Sequence, residues 1–240
     1  MRRSEKAVDR FLRGLGLGDV RFEPDGNVPP DFLVDERVAV EARRLNQNEL
    51  LGSGYRGLEV TATPLQTAVA KVLKEQGPPP SASSWFVFYT FSRPLPDWRQ
   101  LEQLLRAALA EFKARLEDPP HELRMAPGFR LEFERASRPH SSWFVPGGSV
   151  DHDSGGFTVA ELITSLSICI EEKSRKVEPF LSRYAEWWLA FEDTIAYGDL
   201  DDDELAELNN HVAVDHPFAR VILVSPVEPH SGRTIFERAA

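Results

Sequence analysis

The sequence predicts a single α/β domain over residues 1–240, with a central mixed β-sheet flanked by helices. Segments of helical and of strand periodicity interleave along the whole chain, without a visible repeat. The segment "WFVFYTF" (85–91) is apolar on both faces, as a strand in the middle of a sheet must be. A length of 240 residues with 42% hydrophobic content is enough to bury one substantial core.

The elements follow in order. Ser4 caps a helix running to about Leu15, whose apolar stripe is Val8, Phe11, Leu12 and Leu15. "GLGLGD" ends it, Val20 to Phe22 form a short strand, and "EPDGNVPP" is turn material. A hairpin over "PPDFLVDERVAVEARRL" (29–45) comes next, and "NQNELLGSGYRG" reads as a loop. Thr63 caps a helix with Pro64 at its first position, which continues to about Glu75, and "GPPPSASS" is a surface connection. Asp97 caps a further helix whose apolar stripe is Leu101, Leu104, Leu105, Ala108, Phe112 and Leu116, closed by Asp118-Pro119-Pro120. "FRLEFERA" alternates like a half-exposed strand.

Residues 137–156 read as one long loop rich in Gly, Ser and His. Its Asp151, His152 and Asp153 are candidate metal ligands, or with His140 and Trp143 part of a substrate-contacting segment. A helix from about Val159 to Val177 follows, and "WWLAFED", "FARVILVSP" and "RTIFER" supply the last strands. Trp187 and Trp188 read as strand packing or, if exposed, as aromatics that stack on a base, and "DDDELAELNN" as a short acidic surface helix.

Composition excludes several classes. No apolar run approaches the roughly 18 residues of a membrane span, and "MRRSEKAVDR" is not followed by the apolar segment of a signal peptide. One cysteine, Cys169, allows neither an internal disulfide nor a cysteine-rich zinc site. The expectation is a soluble, cytoplasmic protein without a membrane partner. A net charge of −10 disfavours coating duplex DNA by bulk electrostatics, but leaves room for an acidic site that meets phosphate through a cation.

The hairpin carries the chemistry. Strand alternation puts Val38, Val40 and Ala42 on one face and Ala39, Glu41 and Arg43 on the other. A tight turn around Glu36 pairs Val34 with Val38 and Phe32 with Val40, which sets Asp31 opposite Glu41 with Cβ atoms roughly 5 Å apart. Two facing carboxylates repel unless a cation lies between them. Hard oxygen ligands suit Mg²⁺ or Mn²⁺. Counting only that repulsion, removal of either acid is expected to leave the metal-free protein as stable or slightly more so. The other reading is two solvated strand acids.

An N-terminal helix bearing Glu5, a strand, "PPDF" with Asp31, and a strand with Glu41 in "VAVEARRL" together resemble the PD-(D/E)XK nuclease superfamily. The resemblance is carried by residues 1–76, while the elements over 84–240 fit it in outline. It implies a restriction-endonuclease-like core and a Mg²⁺-dependent endonuclease, a hydrolase of phosphodiester bonds acting on nucleic acid, DNA before RNA. Asp31 and Glu41 would hold the metal with Glu5 in support, and the metal would activate water for attack on phosphorus.

Arg43 stands where the family has Lys. A guanidinium keeps the positive charge but hardly deprotonates, so Arg43 is expected to clamp phosphate without acting as a base. Lys173 is the candidate replacement, because it falls on the apolar stripe Val159, Leu162, Ile163, Leu166, Ile170 and Val177 of the late helix. A lysine there either snorkels its stem at the helix end or reaches the carboxylates. Lys176 and Arg175 lie off the stripe and are expected in solvent or facing phosphate. The alternative function is a nuclease-like module that has lost catalysis and binds nucleic acid or a protein. An α/β domain whose likeness to the family is accidental is the third.

Overall fold

The structure, a computed structural model, describes residues 1–52, 54–80, 83–212, 215–228 and 230–238. The expected "GPPPSASS" connection and the tip of "NELLGSGYRG" fall partly outside the described residues. In chain order the elements are α1 (Arg3–Gly14), β1 (Val20–Phe22), β2 (Phe32–Val34), β3 (Val38–Leu45), β4 (Asn48–Leu51), β5 (Gly54–Gly57), α2 (Glu59–Lys74), β6 (Trp85–Phe91) and α3 (Trp98–Ala114). There follow β7 (Glu122–Ala126), β8 (Phe129–Arg135), β9 (Phe144–Asp151), α4 (Thr158–Val177), β10 (Glu186–Asp193), α5 (Asp202–Val212), β11 (Arg220–Val224) and β12 (Gly232–Glu237). The fold class is mixed α/β. Where the sequence reads as one domain, the chain divides into two compact units. One comprises residues 1–48 and 155–240, and the other residues 49–154, inserted between β3 and α4. Local periodicity gives each element its type but not its partner, and so does not reveal such an insertion.

The first unit holds a six-stranded sheet in the order β1-β2-β3-β10-β11-β12. The pairs β1/β2, β2/β3 and β11/β12 are antiparallel, whereas β10 runs parallel to both β3 and β11. Alternation sorts the side chains onto two covered faces. Val40, Ala42, Trp188, Ala190, Ile222 and Val224 pack under α1 through its Ala7, Val8, Phe11 and Leu12. Ala39, Leu45, Trp187, Leu189, Phe191 and Val221 pack under α4 and α5. Burying a side chain such as Leu12 or Phe191 completely contributes about 1.5–3 kcal/mol. Trp187 and Trp188 are both buried, on opposite faces, as packing residues.

The hairpin register is Phe32↔Val40, Leu33↔Ala39 and Val34↔Val38, the pairing expected from alternation. Its turn has no glycine. Asp35 and Glu36 both take positive φ (48° and 53°), and the Arg37 N–H donates to the Val34 carbonyl at 3.1 Å. Two successive left-handed residues match the twist of the flanking strands, and an Asp tolerates that region better than most residues.

His216, 4% exposed in this unit, lies 4.6 Å from the ring of Phe236 and 5.8 Å from that of Phe218, between centroids. Burial, helped by the charge of Arg238 and opposed by that of Asp215, holds its pKa below the ordinary histidine value. The unfolded chain therefore binds the proton more readily. Stability is full above about pH 6.5 and falls as the pH drops below it. His216→Phe is expected to shrink the loss of urea midpoint between pH 7 and pH 5. An unchanged loss would assign the acid sensitivity to other groups.

The second unit is a four-stranded sheet in the order β7-β8-β6-β9, with β4 and β5 as a separate two-stranded ribbon. β6 is internal, as expected, antiparallel to β8 and parallel to β9. Val87, Tyr89, Phe91, Leu131 and Phe133 pack against Leu65, Val69, Val72 and Leu73 of α2 and Leu101, Leu105, Leu109 and Phe112 of α3. Two stretches expected as loops are strands here. β9 runs through the Gly- and Ser-rich segment because Gly147 lets the Phe88 ring approach, and a Cβ at that position would meet the ring at 2.8 Å. β4 and β5 likewise form in "NELLGSGYRG". α2 starts at Glu59, before the expected Thr63 cap, and so holds Pro64 inside it.

Asp151 and Asp153, candidates for a metal, are taken by Arg93. Its guanidinium donates to both oxygens of Asp151 at 2.8 Å, to Asp153 at 3.0 Å and to the Leu58 carbonyl at 2.8 Å. The Arg93 side chain is 7% exposed and that of Asp151 12%. Removing one partner from such a pair strands a buried charge. Arg93→Met is expected to cost about 3–5 kcal/mol in chemical denaturation, and a loss under about 1 kcal/mol would make the pair equivalent to a surface ion pair.

Candidate active site

Three positions of the hairpin and two of α4 converge in the first unit. Asp31 precedes β2, and its Oδ2 accepts the Ala42 N–H at 2.7 Å, which fastens the carboxylate against β3. Glu41, in the middle of β3, lies on the face that α4 covers and is completely buried. The Lys173 ammonium stands between the two acids. It donates to Glu41 Oε2 at 2.5 Å, to the Ala42 carbonyl at 2.9 Å and to Asp31 Oδ2 at 3.4 Å. Its side chain is 11% exposed. Of the two sequence readings of this lysine, solvent snorkelling and reach to the acids, the geometry is the second.

Lys176 also belongs here, contrary to the expectation that it lies off the stripe. Its Nζ donates to Glu41 Oε2 at 2.9 Å while the side chain stays half-exposed. The signal was present in the spacing, because residues three apart on a helix share a face. Burial alone would lower the Lys176 pKa. Its hydrogen bond and charge attraction to Glu41, with Asp31 adding, hold it above the ordinary lysine value. Both lysines also sit in the last turns of α4, where the helix dipole favours positive charge.

This arrangement reverses the expectation that losing one acid leaves stability unchanged. That expectation counted two carboxylates repelling each other. Two acids and two ammoniums sum to zero, so removing one acid now leaves a buried ammonium short of its partner. Glu41 Oε1 is the remaining irregularity, a buried oxygen with no hydrogen-bond partner among the described residues. Such an atom carries a desolvation cost of about 1–3 kcal/mol or more.

Arg43 shares the Glu41 face but turns to α4, where it pairs with Glu172. Glu5 is not brought to the carboxylates. α1 packs on the opposite face of the sheet, and the Glu5 carboxylate accepts the Arg2 N–H at the start of its own helix. Cys169, one turn before Lys173, has its thiol pushed up to about 11 by burial, which removes it as a nucleophile at neutral pH.

The oxygens of Asp31, Glu41 and the Ala42 carbonyl are the donor set that suits a small hard cation keeping several waters. The orphaned Glu41 Oε1 is a further open acceptor. The residues therefore fit Mg²⁺ or Mn²⁺ in chemistry, although no cluster of three or more His, Cys, Asp or Glu side chains with metal-holding geometry occurs among the described residues. A cavity of about 750 Å³ lies wholly in the second unit, lined by side chains such as Leu65, Pro94 and Trp98 around Arg93 and Glu49. It holds no facing pair of carboxylates.

Comparison with family models, with curated proteins and with solved structures gives no match. The reading of the site therefore stands on its own geometry. Among the described residues, no helix is long and apolar enough to cross a membrane.

Proposed function

We propose that the chain is a Mg²⁺- or Mn²⁺-dependent phosphodiesterase acting on nucleic acid, DNA before RNA, with Asp31, Glu41 and Lys173 at its centre. The observation that carries the reading is Lys173, which α4 delivers against the two hairpin acids when the strand itself offers only Arg43. Further support comes from the order α1, β1, β2, β3, followed after the insertion by α4 and β10, with β10 parallel to β3.

The Asp31 and Glu41 carboxylates and the Ala42 carbonyl would hold the cation. When bound it would supply positive charge to the phosphate and lower the pKa of an attacking water. The chain's own contribution is positional. The Ala42 N–H fixes Asp31, β3 buries Glu41 in a low-dielectric setting, and the Lys173 ammonium supplies a movable positive charge for a phosphate oxygen. Lys176, half-exposed beside it, adds a second charge at the mouth. Arg43 sits at the rim on Glu172, placed to exchange that carboxylate for phosphate.

A second reading, a nuclease-like module that binds nucleic acid or protein without cleaving, is favoured by one feature. The acids are already neutralised by Lys173 and Lys176, and Arg43 by Glu172. A cleavage assay on duplex DNA, single-stranded DNA and RNA with Mg²⁺ or Mn²⁺ separates the two. Cation-dependent cleavage that Asp31→Ala and Glu41→Gln each lower by about 100-fold or more supports the enzyme. Binding of any of the three without cleavage supports the module.

Arg43 gives a separate test. Arg43→Lys is expected to retain or raise cleavage, since a lysine there keeps the charge and suits the chemistry. Arg43→Ala is expected to weaken nucleic-acid binding in low salt and to flatten its salt dependence by about one phosphate contact. Wild-type behaviour of both would leave Arg43 as a partner of Glu172 only.

A further inference from the structure

We infer that Lys173 is the built-in occupant of the cation seat, so that a divalent cation enters only by displacing its ammonium. The inference rests on the reading of Asp31 and Glu41 as a cation site, and adds how that site is controlled.

The Lys173 ammonium donates its three hydrogen bonds to the oxygens that would ligate a metal: Glu41 Oε2 at 2.5 Å, the Ala42 carbonyl at 2.9 Å and Asp31 Oδ2 at 3.4 Å. An ammonium has three donors, and all three are used here. Mg²⁺ demands about 2.0–2.1 Å to each oxygen in near-octahedral geometry. An ion at that distance from Glu41 Oε2 and the Ala42 carbonyl competes with the Lys173 ammonium for the same two oxygens. Charge points the same way. Asp31 and Glu41 are balanced by Lys173 and Lys176, so adding a divalent ion with both lysines in place leaves an uncompensated charge of +2 in a buried setting.

One ammonium has to leave, and the geometry selects which. Lys176 touches a single site oxygen from a half-exposed position, whereas Lys173 occupies all three. Lys173 is buried and leaves only when the cation takes over its oxygens and an anion outside receives its head, which the flexible four-carbon stem can carry there. Glu41 Oε1, buried and without a partner, stays available to the incoming ion.

The consequence is a coupling between cation and phosphate. The ammonium expelled from the seat needs a new anion, and a phosphodiester beside the site supplies one. Cation and nucleic acid should therefore each tighten the binding of the other, and by linkage to the same extent. A protein without nucleic acid would hold its divalent ion weakly and remain closed on its own lysine.

The test is calorimetry with Mn²⁺ alone on the wild type, Lys173→Met, Lys173→Gln and Glu41→Ala, each checked for folding by its thermal transition. Both Lys173 variants should bind Mn²⁺ about tenfold or more tightly than wild type, the usual scale of coupling between two ligands, and Glu41→Ala should abolish binding. Equal or weaker binding by the Lys173 variants overturns the inference and leaves the cation site standing. Absence of binding in every protein overturns the cation site itself, and the inference with it. Should the Lys173 variants fail to fold, the wild type decides. The side-chain ammonium resonance of Lys173 should shift to that of a solvent-exposed lysine during Mg²⁺ titration, and a resonance that stays put while Mg²⁺ binds overturns the displacement.

Discussion

Glu41→Ala is expected to lower the unfolding free energy of the metal-free protein by about 3–5 kcal/mol, the cost of breaking a buried ion pair from one side. Glu41 is completely buried and accepts from both Lys173 and Lys176 through one oxygen. Alanine removes that acceptor but leaves the Lys173 ammonium buried, with Asp31 Oδ2 at 3.4 Å and the Ala42 carbonyl as its remaining partners among the described residues. Lys176 can relax into solvent because its side chain is half-exposed, so the penalty concentrates on Lys173. Glu41→Gln should cost less, since an amide oxygen still accepts a hydrogen bond although it brings no charge. The expected order of urea midpoints is wild type, then Glu41→Gln, then Glu41→Ala. A Glu41→Ala protein as stable as wild type would mean that Lys173 leaves the site freely. Divalent-dependent cleavage should be lost in both variants, because each removes the charged ligand.

The hairpin was readable from the sequence because its constraints are local. Val34, Phe32, Val38 and Val40 need one buried face, and only one register supplies it, which also sets Asp31 beside Glu41. Lys173 was readable for the same kind of reason, as its helical phase put it among Leu166, Ile170 and Val177. Lys176 is harder to read, because it lies off the apolar stripe. A helix face that meets a charged strand position accommodates residues three and four apart, and Lys176 reaches past the apolar line to Glu41. The sign of the stability effect was missed because a repulsion between two acids can be counted from the hairpin alone, while the ammonium that cancels it comes from 132 residues away.

Other misses have a different cause. β9 is hidden by Pro146, Gly147 and Gly148, residues that argue against a strand, although Gly147 is needed here so that the Phe88 ring can lie against the backbone. The two-unit division is hidden because "WFVFYTF" and "FARVILVSP" look alike as apolar strands, and nothing in their composition says that they belong to different sheets. Asp151 and Asp153 looked like ligands because Arg93, 58 residues from the first of them, could not be seen as their partner.

Pairing Glu41→Ala with Lys173→Met in one chain is expected to recover most of the stability that Glu41→Ala loses, with a coupling of about 2–3 kcal/mol between the two positions. The double variant leaves no buried ammonium unpaired, because the half-exposed Lys176 relaxes into solvent once Glu41 is gone, and the Met stem fills most of the volume of the lysine. Replacing a buried ion pair by apolar side chains is often neutral or stabilising, so charges of this kind need a reason other than stability. Cleavage supplies that reason if the double variant is stable and inactive. Should the double variant instead stay as unstable as Glu41→Ala alone, the defect would lie in the cavity left beside β3 and not in the stranded charge. A double variant that still cleaves nucleic acid would remove Glu41 and Lys173 from the chemistry altogether. Urea denaturation of the four proteins of the cycle, with cleavage measured on the same preparations, therefore reads stability and function at one pair of residues. Stability regained without activity is the outcome that ties the buried charges to catalysis.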